Sequence, residues 1–137
     1  MKTSNDIDTI KKLLAPVFQK NEVIKAVVFG SASKGSETKK SDLDLMIIKD
    51  TRKRFFDRYD EFDEIFKLIK DRAIDILIYT PEELESISHR PFIKMIINER
   101  QPIYEQWINP IQMVYQISHQ AWHLSMKMLI LVSNIKP

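Results

Sequence analysis

The residues that decide the fold are Val27-Val28-Phe29-Gly30-Ser31-Ala32-Ser33-Lys34-Gly35 and, soon after, Lys40-Ser41-Asp42-Leu43-Asp44-Leu45-Met46-Ile47-Ile48. The first stretch ends an apolar, β-branched run over 23–29, which predicts a buried strand. The polar segment after it holds both glycines of the chain. Glycine lets the backbone approach a phosphate closely, and the free N–H groups of a following turn favour an anion. We therefore predict a phosphate loop with contacts from Gly30, Ser31, Lys34 and Gly35, although Lys34 also fits a plain surface lysine.

Three aspartates lie in predicted strands. Asp42 and Asp44 are two residues apart in the second predicted strand, so their side chains point to one face, roughly 7 Å apart. Asp75 interrupts the apolar run over 73–79, a third predicted strand. Adjacent carboxylates repel each other, and a hard divalent cation relieves that repulsion. We predict that Asp42, Asp44 and Asp75 share one metal site.

Each acid also has a simpler interpretation. Asp42 and Asp44 could begin a solvated strand, and Asp75 could lie at an exposed edge or pair with Arg72. Asp71 competes as the third acid but precedes the strand.

The rest of the first 105 residues alternates helices with strands. Helical spacing appears over 7–18, with a cap at Ser4, Asn5 or Asp6 and a kink at Pro16, and again over 52–70. Thr80 and Pro81 predict a helix start, another helix follows Pro91, and 102–105 reads as a short edge strand. The order predicts an α/β (α+β) fold with a small mixed sheet flanked by helices.

Composition narrows the classes of function. The chain has 137 residues and no cysteine, so thiolate zinc sites, cysteine nucleophiles and disulfides are excluded. No secretory leader or membrane-length apolar run is present, so we expect a cytoplasmic protein without a membrane partner. Residues 1–105 carry 19 acids and 19 bases, and this neutrality argues against nucleic acid as partner.

The amino-acid composition of the chain changes after Glu105. Residues 106–137 contain no acid, both tryptophans and an apolar face at helical spacing. We predict one domain over 1–105, which holds the predicted phosphate loop and metal site, and a C-terminal amphipathic helix within 106–137. That helix could pack on the core, form a homo- or hetero-oligomer or bind a partner. His119 and His123 have metal-ligand spacing but no acid nearby in the sequence.

The combination Gly30-Ser31-x-x-x-Gly35, Ser41-Asp42-x-Asp44 and a later strand acid resembles the polymerase-β-type nucleotidyltransferase superfamily. Within it, the chain looks like the minimal nucleotidyltransferases that are often encoded beside a HEPN-domain protein. The resemblance implies that Gly30 and Ser31 hold the triphosphate of ATP. It also implies that Asp42 and Asp44 bind two Mg²⁺ ions and that Asp75 binds one of them and helps to activate the acceptor. Ala32 and Lys34 stand where many members carry arginine, and lysine lacks the bidentate fork.

The same resemblance suggests an acceptor. Several such proteins are antitoxins, and some transfer AMP from ATP to a tyrosine of a HEPN toxin. The leading hypothesis is therefore a magnesium-dependent protein adenylyltransferase in a toxin–antitoxin pair. A non-catalytic antitoxin that only covers its toxin, and nucleotidyl transfer to a small molecule such as an aminoglycoside, are the alternatives.

Overall fold

Four strands and their flanking helices make up the part of the chain that the structure describes. A computed structural model describes residues 2–30 and 42–106, with side-chain surroundings from residue 6 onward in the first range. The elements, in chain order, are α1 (Lys2–Lys20), β1 (Lys25–Phe29), β2 (Leu43–Ile48), a 3-10 helix (Phe55–Phe62), α2 (Asp63–Leu68), β3 (Ile74–Tyr79), α3 (Pro81–Ile87), α4 (Pro91–Glu99) and β4 (Gln101–Glu105).

The strands form one mixed sheet in the order β3-β2-β1-β4. β1 is antiparallel to both β2 and β4, whereas β2 and β3 are parallel. Because β1 runs opposite to β2 and β3, its end lies at the same sheet edge as the starts of those two strands. The predicted mixed sheet flanked by helices is confirmed, with β4 as the short edge strand.

Each face of the sheet is covered by a different pair of helices. On one face, α1 and α2 pack on alternate strand residues such as Val28, Leu45 and Ile78. On the other face, α3 and α4 pack on the intervening residues, including Val27, Met46 and Ile48. Burial on both faces explains why β1 and β2 read as continuous apolar runs rather than alternating ones.

The boundaries of two predicted elements are wrong. α1 begins at Lys2, before the predicted caps, and continues past Pro16 to Lys20. The strand predicted from residue 23 starts at Lys25, although Ile24 N–H already donates to the Ile48 carbonyl at 2.8 Å.

The single helix predicted over 52–70 is also wrong, because the structure has a 3-10 helix followed by the short α2. Long-range contacts explain the difference. Arg58 lies inside the 3-10 helix, and its guanidinium donates to the carbonyls of Lys53 and Ile78 and to both carboxylate oxygens of Glu83. Fixing Arg58 there while burying Phe62 overrides the helical period of the sequence.

The start of α3 follows the predicted cap. Glu83 N–H donates to the Thr80 hydroxyl oxygen at 3.2 Å, and Thr80 N–H donates to the Glu83 carboxylate at 3.0 Å, with Pro81 at the first helical position. This reciprocal capping box anchors α3 directly after β3. Along 2–30 and 42–106, no helix combines the length and apolar character that a membrane crossing requires.

Candidate functional site

Gly30 is the residue at which the candidate site begins. It directly follows β1 and has φ +72°, a left-handed backbone that side chains other than glycine rarely adopt. A Cβ at this position would lie 2.5 Å from Oδ2 of Asp44. Glycine is therefore required both by the backbone conformation and by the close approach of a carboxylate.

The three predicted acids lie at the same end of the strands, where β1 finishes and β2 and β3 begin. Asp44 is opposite Phe29 across the β1–β2 pair and opposite Asp75 across the β2–β3 pair. Opposed residues project to one face, and Asp42 lies two residues before Asp44, immediately before β2. Asp44 and Asp75 belong to the face that α3 and α4 cover further along the strands, and Asp42 lies close enough to act on the charge of Asp44. The structure thus brings Asp42, Asp44 and Asp75 together beside Gly30.

The electrostatics of Asp44 reflect these neighbours. Burial raises the pKa of the Asp44 carboxyl, and the negative charges of Asp75 and Asp42 raise the same pKa further. Asp44 is half-buried, whereas Asp42 and Asp75 are exposed. A half-buried carboxylate between two others is an electrostatically unfavourable arrangement that a bound cation would relieve.

The donor set suits a hard divalent cation, since all three groups are carboxylates. In residues 2–30 and 42–106, however, no three acidic or histidine side chains could hold an ion as they stand. The three acids are neighbours without forming a closed cage, so their side chains would have to move to surround an ion.

The surroundings of Asp75 bear on its alternative interpretations, which were an ion pair with Arg72, an exposed edge position, and Asp71 in its place as the third acid. Arg72, the suggested ion-pair partner, instead donates to Asp6 at 2.8 Å and lies 3.6 Å from Asp71. Asp71 is thus engaged in an ion pair before the strand begins, and it is not the acid in register with Asp44. Asp75 does lie exposed on an edge strand, so burial does not force it to find a partner.

Part of the predicted phosphate loop lies outside the described residues. Ser31, Lys34 and Gly35 fall in the range 31–41, and the predicted C-terminal helix falls in 107–137. Their proposed roles stay predictions.

One neighbour of the site was missed by the sequence analysis. The Phe92 ring, at the start of α4, lies 6.3 Å from the Phe29 ring at an interplanar angle of 87°. Phe29 is buried, but Phe92 is 49% exposed. Its position after Pro91, at the start of a predicted helix, was the available signal, but the pairing of Phe29 with Asp44 could not be read from it.

The fold defines the class of this protein: a small mixed sheet flanked by helices, in the arrangement of a nucleotidyltransferase domain. The family model described as "Polymerase beta, Nucleotidyltransferase" matches residues 11–109, and the chain belongs to that family. No curated protein matches the chain in sequence.

Solved structures with a similar fold include chains of toxin–antitoxin complexes and a putative nucleotidyltransferase. A chain of a toxin–antitoxin crystallised with AMP-PNP is 13% identical, with TM-score 0.53, over 91% of this chain and 97% of that one. A putative nucleotidyltransferase from Sulfolobus solfataricus is 14% identical, with TM-score 0.53, over 77% and 86%. A complex of tri-AMPylated Shewanella oneidensis HEPN toxin with MNT antitoxin gives 13% identity and TM-score 0.50 over 94% and 98%. At these identities the likeness concerns the fold.

Proposed function

We propose that this nucleotidyltransferase transfers AMP from ATP to a tyrosine hydroxyl of a HEPN-domain toxin and so acts as the antitoxin of the pair. The observation that carries the catalytic part is that Asp44 lies opposite Asp75 and near Asp42, beside the left-handed Gly30. The acceptor is supported by similarity of fold to toxin–antitoxin structures, one of which contains an AMPylated HEPN toxin.

Asp42 and Asp44 would hold two Mg²⁺ ions, with Asp75 as a further ligand to one of them. Bound ions would lower the pKa of the acceptor hydroxyl and neutralise charge on the triphosphate and on the leaving pyrophosphate. The raised pKa of Asp44 in the cation-free protein fits this role, because the same repulsion that raises it is what a cation removes.

Other residues of the site would bind the triphosphate and orient the acceptor hydroxyl. Gly30 would hold the triphosphate through its backbone beside Asp44, and Ser31 and Lys34 would add contacts to its oxygens. Asp75, exposed on the edge strand, is open to an acceptor from outside and would orient its hydroxyl. The hydroxyl oxygen forms a bond to the α-phosphorus as the bond to pyrophosphate breaks, and the hydroxyl proton passes to Asp75 or to water.

The same proposal places the protein in the cytoplasm together with its HEPN-domain partner.

The test uses the full chain with ATP labelled at the α-phosphate, magnesium and a HEPN-domain protein from the same genome. We expect label on that protein, and its loss when the acceptor tyrosine is changed to phenylalanine. Asp44→Asn should abolish labelling, whereas Asp50→Asn should not. Asp50 is a matched control because it is an exposed aspartate just beyond the opposite end of β2.

Two results would contradict the proposal. If Asp44→Asn still neutralises the toxin in cells as well as the natural chain does, neutralisation depends on binding alone. If label appears on an added aminoglycoside but not on the protein, the acceptor is a small molecule.

A further inference from the structure

We infer that Phe92 is a stacking platform for the base of the nucleoside triphosphate, an inference that rests on the proposed function and adds a base-contacting residue to it. Phe29 and Asp44 are opposed across β1 and β2, so their side chains project to the same face. The Phe92 ring contacts Phe29, which places an aromatic side chain next to the acid site.

The exposure of Phe92 is not explained by core packing. Its neighbours Ile93 and Ile96 are buried and attach α4 to the sheet, whereas Phe92 is 49% exposed. About half of the Phe92 surface is therefore left in water, and a base stacked on the ring would remove that apolar surface from water.

The Phe92 ring is also held in place. Pro91 occupies the first turn of α4, which limits backbone freedom at the helix start. The nearly perpendicular contact with the buried Phe29 ring is a favoured aromatic geometry and leaves part of Phe92 uncovered. A restrained and partly exposed ring loses little conformational entropy when a ligand stacks on it.

The position of Phe92 on the β1 side of the site indicates that it contacts the nucleotide rather than the acceptor. Phe92 contacts β1, the strand that leads into Gly30, where the triphosphate is proposed to bind. Asp75, the proposed acceptor-side acid, lies on edge strand β3, separated from β1 by β2. A planar group stacked on Phe92 is therefore the base of the bound nucleotide rather than the acceptor ring.

Most other exposed apolar residues in the described ranges lie elsewhere. Leu13, Phe66 and Leu68 belong to α1 and α2, on the opposite face of the sheet. Phe56 lies in the 3-10 helix beyond the far end of β2. Phe66, which is 45% exposed, is therefore a control matched in residue type and exposure but remote from the acids.

The experiment is calorimetric titration of the full chain with two ligands in the presence of magnesium. One ligand is an ATP analogue whose α–β bridge is a methylene group, which prevents transfer. The other is inorganic tripolyphosphate, which carries the charge but no base. We expect Phe92→Ala to weaken binding of the analogue by about 5- to 150-fold, the range reported for stacking of one base. Its affinity for tripolyphosphate should be unchanged.

Two further variants check the interpretation. Phe92→Tyr keeps a stacking surface and should bind the analogue like the natural chain, and Phe66→Ala should do the same. Because stacking tolerates any base, a GTP analogue should lose affinity in Phe92→Ala as the ATP analogue does.

The outcomes that overturn the inference are distinct. Equal loss for both ligands in Phe92→Ala would mean that the substitution disturbs the site as a whole. No loss for either ligand would mean that Phe92 is no platform, and a loss seen only in binding the partner protein would make it a protein contact. If the natural chain binds neither ligand, the proposed nucleotidyl transfer itself fails, and this inference fails with it.

Discussion

Replacing Gly30 by alanine tests the geometry on which the candidate site depends. The left-handed backbone at φ +72° costs a residue with a Cβ about 1–2 kcal/mol. The new methyl group would also lie 2.5 Å from Oδ2 of Asp44, so the carboxylate must rotate away. Displacing a side chain from its preferred rotamer costs about 0.5–1.5 kcal/mol. The sum predicts a loss of about 1.5–3.5 kcal/mol in the free energy of unfolding.

The two contributions can be separated with a double-mutant cycle. In an Asp44→Ala background the clashing oxygen is absent, so Gly30→Ala should cost only the backbone term of about 1–2 kcal/mol. Urea unfolding followed by circular dichroism gives all four stabilities. The transferase activity of the single variant should fall further than its stability suggests, since a displacement of about 1 Å at a reacting group can cost about 100-fold.

Two results would refute this reasoning. A Gly30→Ala chain as stable as the natural one would show that the backbone there is not left-handed. An equal loss in both backgrounds would show that Gly30 and Asp44 do not approach each other closely.

Three other predictions concern charge. Asp44→Asn should raise the free energy of unfolding of the cation-free protein at neutral pH. Because the pKa of Asp44 is raised in the folded state, ionising this carboxyl destabilises the fold; the destabilisation is absent below pH 3.8, appears as pH rises through the folded pKa and persists at higher pH. The free energies of unfolding of the two chains, measured as a function of pH, should therefore become equal in acid. Magnesium at about 100 times its Kd should stabilise the natural chain and Asp50→Asn by about 2.7 kcal/mol in thermal unfolding, and Asp44→Asn by less; equal shifts in all three would place the ion elsewhere. Arg58→Ala should cost about 2–3 kcal/mol, since it removes charge-assisted bonds at 2.7 Å to both Glu83 oxygens from a side chain only 6% exposed. Because Arg58 lowers the pKa of Glu83, that loss should be full above pH 4.5 and should shrink as pH falls through the folded pKa; a pH-independent loss would contradict the ion pair.

The sequence could predict the strands because burial leaves a strong local signal. The runs ending at Phe29, Ile48 and Tyr79 are apolar and β-branched, and each is a strand in the structure. The shared face of Asp42 and Asp44 follows from strand periodicity alone.

Other features depend on partners distant in sequence. That Asp75 is directly opposite Asp44 requires β2 and β3 to be parallel neighbours in one particular register, which no local pattern encodes. The break between the 3-10 helix and α2 similarly depends on Arg58 reaching Glu83. Phe92 was missed because its significance comes only from Phe29, which lies on another element.

Asp44 also affects folding, because side chains in β2 alternate between the two faces of the sheet. Asp44 has Leu43 and Leu45 as neighbours, and both are fully buried against α1 and α2. A slip of one residue in strand pairing would turn Asp44 into that apolar layer, where an unpaired carboxylate is strongly disfavoured. The charge proposed to serve chemistry thus also penalises misaligned sheets, so a neutral Asp44 variant could gain native stability while losing some of its protection against misfolding.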